Sequence, residues 1–179
     1  MNNAPKYSSY LERELRSDHA GETGAVFIYK GIACIAKLSK DAVLLELARH
    51  HGLTESEHLK LIESILPEKM RSKLLVLWRL AGWLIGALPS LFGRKAVFAT
   101  IVAVETFVEK HYQTQIDHIE NYGAPYGLLG LLKKCQADEI AHKVEAIAAA
   151  SKDQNFMLNL WCSIVGWGSS SAVVVARIV

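Results

Sequence analysis

Apolar positions along the chain recur at helical spacing, three to four residues apart, and long alternating runs of β type are few. Ala20, Ala25, Val26, Ile28, Tyr29, Ile32 and Ile35 mark one face of a first helix from about Ser9 to Leu38, with Ser8, Ser9 and Glu12 as start signals. A second helix starts near Ser39–Asp41, carries Leu44, Leu45, Leu47 and Ala48, then Ile62 and Ile65, and ends before Pro67. Leu74 to Gly93 is strongly apolar, and its uncharged part, Leu80 to Phe92, is 13 residues long. A bilayer-spanning helix needs about 20 residues, so this segment fits an interfacial or re-entrant element better, with a buried core helix as the other reading. Arg71, Lys73, Arg94 and Lys95 bracket it, and Trp78 and Trp83 are of the type enriched at lipid headgroups. A fourth helix is expected from about Lys95 to Asn121. After the breakers Gly123, Pro125 and Gly127, a fifth runs from about Tyr126 to Ala150. Asn155 to Val179 reads as a closing helix whose Gly166, Gly168 and Ser169–Ser171 pack tightly on neighbours, with a membrane-facing role as the second reading. The expected fold is all-α: one domain over residues 1–179, a four-helix core with two additional apolar helices.

With 179 residues, 51% of them hydrophobic, the chain has ample material for a core. A net charge of +2, with no basic patch among aromatics, argues against nucleic acid as a partner. No glycine-rich phosphate loop is present. Cys34, Cys135 and Cys162 form no CxxC pair and read as buried free thiols. The first six residues lack the apolar core of a signal peptide, so a cytosolic chain, or one attached to a membrane from the cytosolic side, is expected.

Two short stretches carry the chemistry. Glu55-Ser56-Glu57-His58 and Glu139-Ile140-Ala141-His142 both read Glu-x-x-His, which puts carboxylate and imidazole on one helix face. Glu22 lies 33 residues before Glu55 and Glu105 lies 34 before Glu139, so the halves repeat one another. A carboxylate such as Glu105 on a core-facing helix is costly unless paired or metal-bound. Four carboxylates and two imidazoles from four helices are the ligand set of di-iron and di-manganese carboxylate bundles. Glu22, Glu55, His58, Glu105, Glu139 and His142 are therefore the candidate ligands of two iron ions, with Glu55 and Glu139 as bridges and Glu22 and Glu105 terminal. Six protein ligands for two metals leave open positions for oxygen chemistry. Asp138 is a candidate acceptor for a histidine N–H, or else a solvated aspartate. His19, His111 and Tyr112 could relay protons or electrons, with His111 and Tyr112 as the candidate catalytic pair. Gly21 and Gly24 would let a metal or a neighbouring helix approach Glu22 closely, or serve helix packing alone. His50 and His51 lack the spacing to join Glu55 and read as surface or supporting residues.

Asp18-His19-Ala20-Gly21-Glu22, Ile28-Tyr29, Glu55-x-x-His58, Val102-Ala103-Val104-Glu105 with His111-Tyr112, and Glu139-x-x-His142 together resemble the demethoxyubiquinone hydroxylase family. The resemblance covers roughly residues 12 to 178. It implies a ferritin-like di-iron monooxygenase of ubiquinone biosynthesis, acting on 2-polyprenyl-3-methyl-6-methoxy-1,4-benzoquinol with O2 and electrons from an external donor. It further implies a peripheral seat on the cytoplasmic side of the membrane, with Leu74–Phe92 meeting the polyprenyl tail, and leaves room for a homo-oligomer or helper protein. The competing expectations are a ferritin-like iron oxidase and a metal-free helical quinone-lipid carrier.

Overall fold

The computed structural model describes residues 7–150 and 156–179; the N-terminal stretch read above, and Asn155 at the expected start of the last helix, lie outside them. Six α-helices follow in order: α1 Ser9–Ser39, α2 Ala42–Ile65, α3 Leu75–Ser90, α4 Arg94–Tyr122, α5 Leu128–Ala149 and α6 Phe156–Ala176. A short 3₁₀ turn, Glu68–Met70, separates α2 from α3, and no strand occurs among the described residues.

Local chemistry sets the ends. The Ser8 hydroxyl accepts the Leu11 N–H and starts α1. Lys40 takes a left-handed backbone (φ 56°) that closes it, and Asp41 then caps α2 by accepting the N–H groups of Val43 and Leu44. At Gly127 φ is 88°, which favours glycine, and α5 begins after it, two residues later than the apolar pattern suggests.

α1 packs on α2 and α4 on α5, and the two pairs close on each other, consistent with a ferritin-like helical bundle. Apolar side chains cluster at both ends. Ile28, Ile32, Leu44, Leu47, Val97, Phe98 and Ile101 form one plug, and Leu11, Leu15, Ile62, Leu66, Ile116, Leu128 and Leu132 the other. On each core helix the stretch between its contributions to the two plugs contains the expected metal-binding carboxylate. The polar layer is thus enclosed from both ends.

α3 lies along α1 at backbone contact. A Cβ on Gly86 would stand 1.9 Å from the Ile28 carbonyl oxygen, and one on Gly82 would stand 2.2 Å from that of Gly24. Gly24 therefore serves helix approach, while Gly21, with nothing within 4 Å of its Cβ position, packs on nothing. The opposite face of α3 exposes Val76, Leu80, Leu84 and Leu88. Of its two tryptophans, Trp78 is buried and donates to the Ser72 hydroxyl at 2.7 Å, so it is not at the surface where a headgroup contact would need it.

Two further expectations are corrected. α6 rests on α4 and α1 through Val165 and Ala176, but Gly166 and Gly168 meet nothing within 4 Å and Ser170 and Ser171 are exposed. The small residues thus make no tight contact, and Phe156, Ile164, Trp167 and Val174 face outward. By length and composition alone, α6 could cross a bilayer. Among the cysteines, all free, Cys135 is buried while Cys34 is exposed and Cys162 only half-buried, because Cys34 falls on the outward side of α1.

Candidate metal centre

The six side chains singled out by spacing converge in the layer between the plugs, each with under a twentieth of its surface exposed. Glu22 comes from α1, Glu55 and His58 from α2, Glu105 from α4, and Glu139 and His142 from α5. They form two overlapping groups. Glu22, Glu55, His58 and Glu139 each present one donor atom within 4.8 Å of the others, as do Glu55, Glu105, Glu139 and His142. Glu55 and Glu139 belong to both groups, while each group adds one further carboxylate and one imidazole.

His58 Nδ1 lies 3.0 Å from Glu139 Oε1 and 3.8 Å from both Glu22 Oε2 and Glu55 Oε2. His142 Nδ1 lies 3.2 Å from Glu55 Oε1 and 3.4 Å from Glu139 Oε2. The far side of the His58 ring, Nε2, meets Asp138 Oδ2 at 2.9 Å, so Asp138 takes the accepting role expected of it. Two tyrosines hold the outer carboxylates in crossed fashion. Tyr112 of α4 donates to Glu22 Oε1 at 2.5 Å, and Tyr29 of α1 donates to Glu105 Oε1 at 3.2 Å.

The electrostatics test whether this layer suits cations. Burial, and then the Glu139 charge, push Glu22 up to about 7 and hold Glu55 and Glu105 well above the usual carboxylate range. Burial pushes Glu139 the same way, but the adjacent His142 and His58 imidazoles outweigh it and bring it down to about 2. Burial disfavours charge on His58, yet Glu139 and Glu22 raise it to about 9. The layer holds more negative capacity than its own residues neutralise. Glu22 Oε2, both Glu55 oxygens, Glu139 Oε2 and His142 Nδ1 are buried without a hydrogen-bond partner. Such orphaned donor atoms facing a common centre are what hard divalent ions complete. The residues fit a metal pair.

A cavity of about 420 Å³ opens onto the layer. Glu22, Glu55, Glu105, Glu139 and Tyr112 line its inner end, and apolar residues of α1, α3, α4 and α6 form its walls, among them Ile28, Leu77, Ile85, Val108 and Val175. His111 lines it too; its Nε2 lies 3.0 Å from Asp18 Oδ1 and 3.2 Å from the Ser17 hydroxyl. Burial lowers the His111 pKa, but the hydrogen bond and charge of Asp18 outweigh it and leave it raised. His19 is not brought to the site: its Nε2 faces Glu63 at 3.4 Å.

Sequence spacing gave no site role to Tyr29 or Glu145, while His51, read as a surface or supporting residue, proves to be a supporting one. His51 is fully buried, stacks on the His142 ring at 3.9 Å, and bonds Tyr29 and Glu145. Tyr29 falls seven residues after Glu22, as Tyr112 does after Glu105, and Glu145 falls three after His142. Those helical intervals were the available signal. His50, by contrast, is exposed.

A helical bundle of ferritin-like form, enclosing buried carboxylate–histidine clusters compatible with metal binding, is the class that this fold and site define. Within it, residues 9–176 match the family described as ubiquinone biosynthesis protein COQ7, and the chain belongs to that family. It is 35% identical over 136 residues to the NADPH-dependent 3-demethoxyubiquinone 3-hydroxylase, mitochondrial, of Dictyostelium discoideum, covering 74% of this chain and 61% of that protein. It is 30% identical over 141 residues to the 3-demethoxyubiquinol 3-hydroxylase of Rhodospirillum rubrum, covering 78% and 65%. The human protein, named like that of Dictyostelium, is 33% identical over 137 residues, covering 74% and 61%. The chain thus matches about three fifths of the length of these curated relatives.

Proposed function

We propose that this chain is a di-iron monooxygenase that hydroxylates the ring of 2-polyprenyl-3-methyl-6-methoxy-1,4-benzoquinol. The observation that carries the reading is the pair of buried clusters sharing Glu55 and Glu139 at the inner end of an apolar cavity. Glu55 and Glu139 would bridge two iron ions, Glu22 and His58 would complete one, and Glu105 and His142 the other. Iron held there would supply the reduction of O2. In balance, a ring C–H, O2, two electrons and two protons become a ring C–OH and water. The names of the Dictyostelium and human relatives favour a reduced nicotinamide as the external electron donor.

The chain's own residues account for the rest. Walls from Ile28, Leu77, Ile85, Val108 and Val175 take an apolar ring and exclude water, leaving the polyprenyl tail to run out between α3 and α6. Tyr112 holds its hydroxyl proton on Glu22 Oε1 and so fixes the carboxylate's orientation. His111, kept protonation-prone by Asp18 at its Nε2, lines the cavity and is placed to hold a proton beside the bound ring. The outward apolar faces of α3 and α6 favour a seat on the membrane, where such a tail resides. We assign that seat to the cytoplasmic side.

Complementation of a strain that accumulates the demethoxy quinol, read by mass spectrometry of its quinones, tests the reading. Appearance of the hydroxylated product supports it. Iron oxidation and mineral in solution without that product would instead make the chain a ferritin-like oxidase, and no recovered iron would leave a lipid carrier.

A further inference from the structure

Outside the buried layer, the described residues contain one more set of side chains with ligand spacing. His50 and His51 of α2 and Glu145 of α5 each present one donor atom within 4.8 Å of the others. His51 is buried, His50 is exposed, and the Glu145 side chain is 55% exposed, so the set opens to solvent.

The hydrogen bonding of His51 shows what it can bind. Its Nδ1 lies 3.1 Å from the Tyr29 hydroxyl, which lies 3.2 Å from Glu105 Oε1. Tyr29 spends its single hydroxyl proton on Glu105 Oε1, so its oxygen is left to accept from His51 Nδ1–H. The neutral ring is left with its lone pair on Nε2, and that atom faces the Glu145 carboxylate oxygen at 2.9 Å. Two acceptors at that distance need a cation between them. A proton would serve, but it makes no use of a third donor. The His50 ring, 5.6 Å from that of His51 between centroids, supplies one. A histidine whose other ring nitrogen is fixed by a hydrogen bond is the usual orientation of a metal ligand. Two imidazoles and a carboxylate suit first-row divalent ions such as zinc, cobalt(II) or iron(II).

We propose that His50, His51 and Glu145 form a third divalent-metal site, facing solvent and separate from the two buried clusters. The His51 ring stacks on His142 at 3.9 Å with 10° between planes, so the outer ion is one imidazole away from the buried layer.

Equilibrium dialysis of the metal-free chain against cobalt(II) chloride counts the ions. Wild type is expected to bind three, and His50→Ala and Glu145→Ala two each, with the far-UV circular dichroism unchanged because both side chains are exposed. Two ions in wild type and in both variants would overturn the outer site, as would three retained in both variants. One ion in wild type, lost in both variants, would support the outer site while overturning the buried pair.

Discussion

The Tyr112 hydroxyl of α4 donates to the Glu22 carboxylate of α1 at 2.5 Å, and the reverse pair, Tyr29 of α1 on Glu105 of α4, repeats the bond across the same seam. Each tyrosine stands seven residues, two helical turns, after the glutamate of its own helix. The internal repeat that spacing suggests is therefore a repeat of hydrogen bonding as well. It orients each outer carboxylate from the opposite half of the chain.

Tyr112→Phe removes the hydroxyl and leaves the ring. Loss of such an orienting bond is expected to weaken iron(II) binding at the buried layer about 10–100-fold while the stoichiometry at saturation stays that of wild type. Anaerobic iron(II) titration measures both. Unchanged affinity would show that Glu22 needs no help in orientation.

Glu105→Ala and His142→Ala are each expected to abolish hydroxylation with helical content largely intact, because each removes a proposed ligand of the same iron. Quinone mass spectrometry and circular dichroism check the pair. Full hydroxylation by either variant would remove that residue from the ligand set.

Acidity separates the metal-free from the loaded chain. Glu22 sits near 4.5 when unfolded and is pushed up to about 7 when folded, so between those values the folded state binds the extra proton. Stability of the metal-free chain should be highest below pH 4.5 on this account and fall as pH rises toward 7. Iron(II), which competes with those protons, should reverse the slope. Urea unfolding of both forms across this window is the measurement, and a metal-free chain that gains stability toward pH 7 would contradict the charge balance described.

Gly86→Ala puts a Cβ 1.9 Å from the Ile28 carbonyl oxygen and must part α1 from α3. A loss of about 1–3 kcal/mol is expected. Gly166→Ala meets nothing within 4 Å and should gain up to about 1 kcal/mol from helix propensity. Denaturant midpoints of the two variants should move in opposite directions.

Val76→Glu combined with Leu80→Glu charges the exposed face of α3, away from its contact with α1. Co-flotation with phospholipid vesicles should be lost while helical content is kept. Retained flotation would leave α6 as the sole membrane element.

Helix count, helix order and the six convergent side chains are all legible in the order of residues, because a helix turns a linear interval into a shared face. Glu-x-x-His and the intervals of 33 and 34 depend only on that local geometry. The chain's own order also places each carboxylate between two apolar blocks on its helix, which is why the polar layer is enclosed. What depends on which helix lies beside which could be settled only by tertiary structure. Packing directs the Trp78 indole inward, presses Gly82 and Gly86 onto α1, and leaves Gly166 and Gly168 touching nothing. It also brings His51 of α2 onto His142 of α5, although 91 residues separate them (142 − 51). Neighbours on one helix are set by its period, whereas neighbours across helices are set by the fit of whole surfaces, which no interval along the chain records.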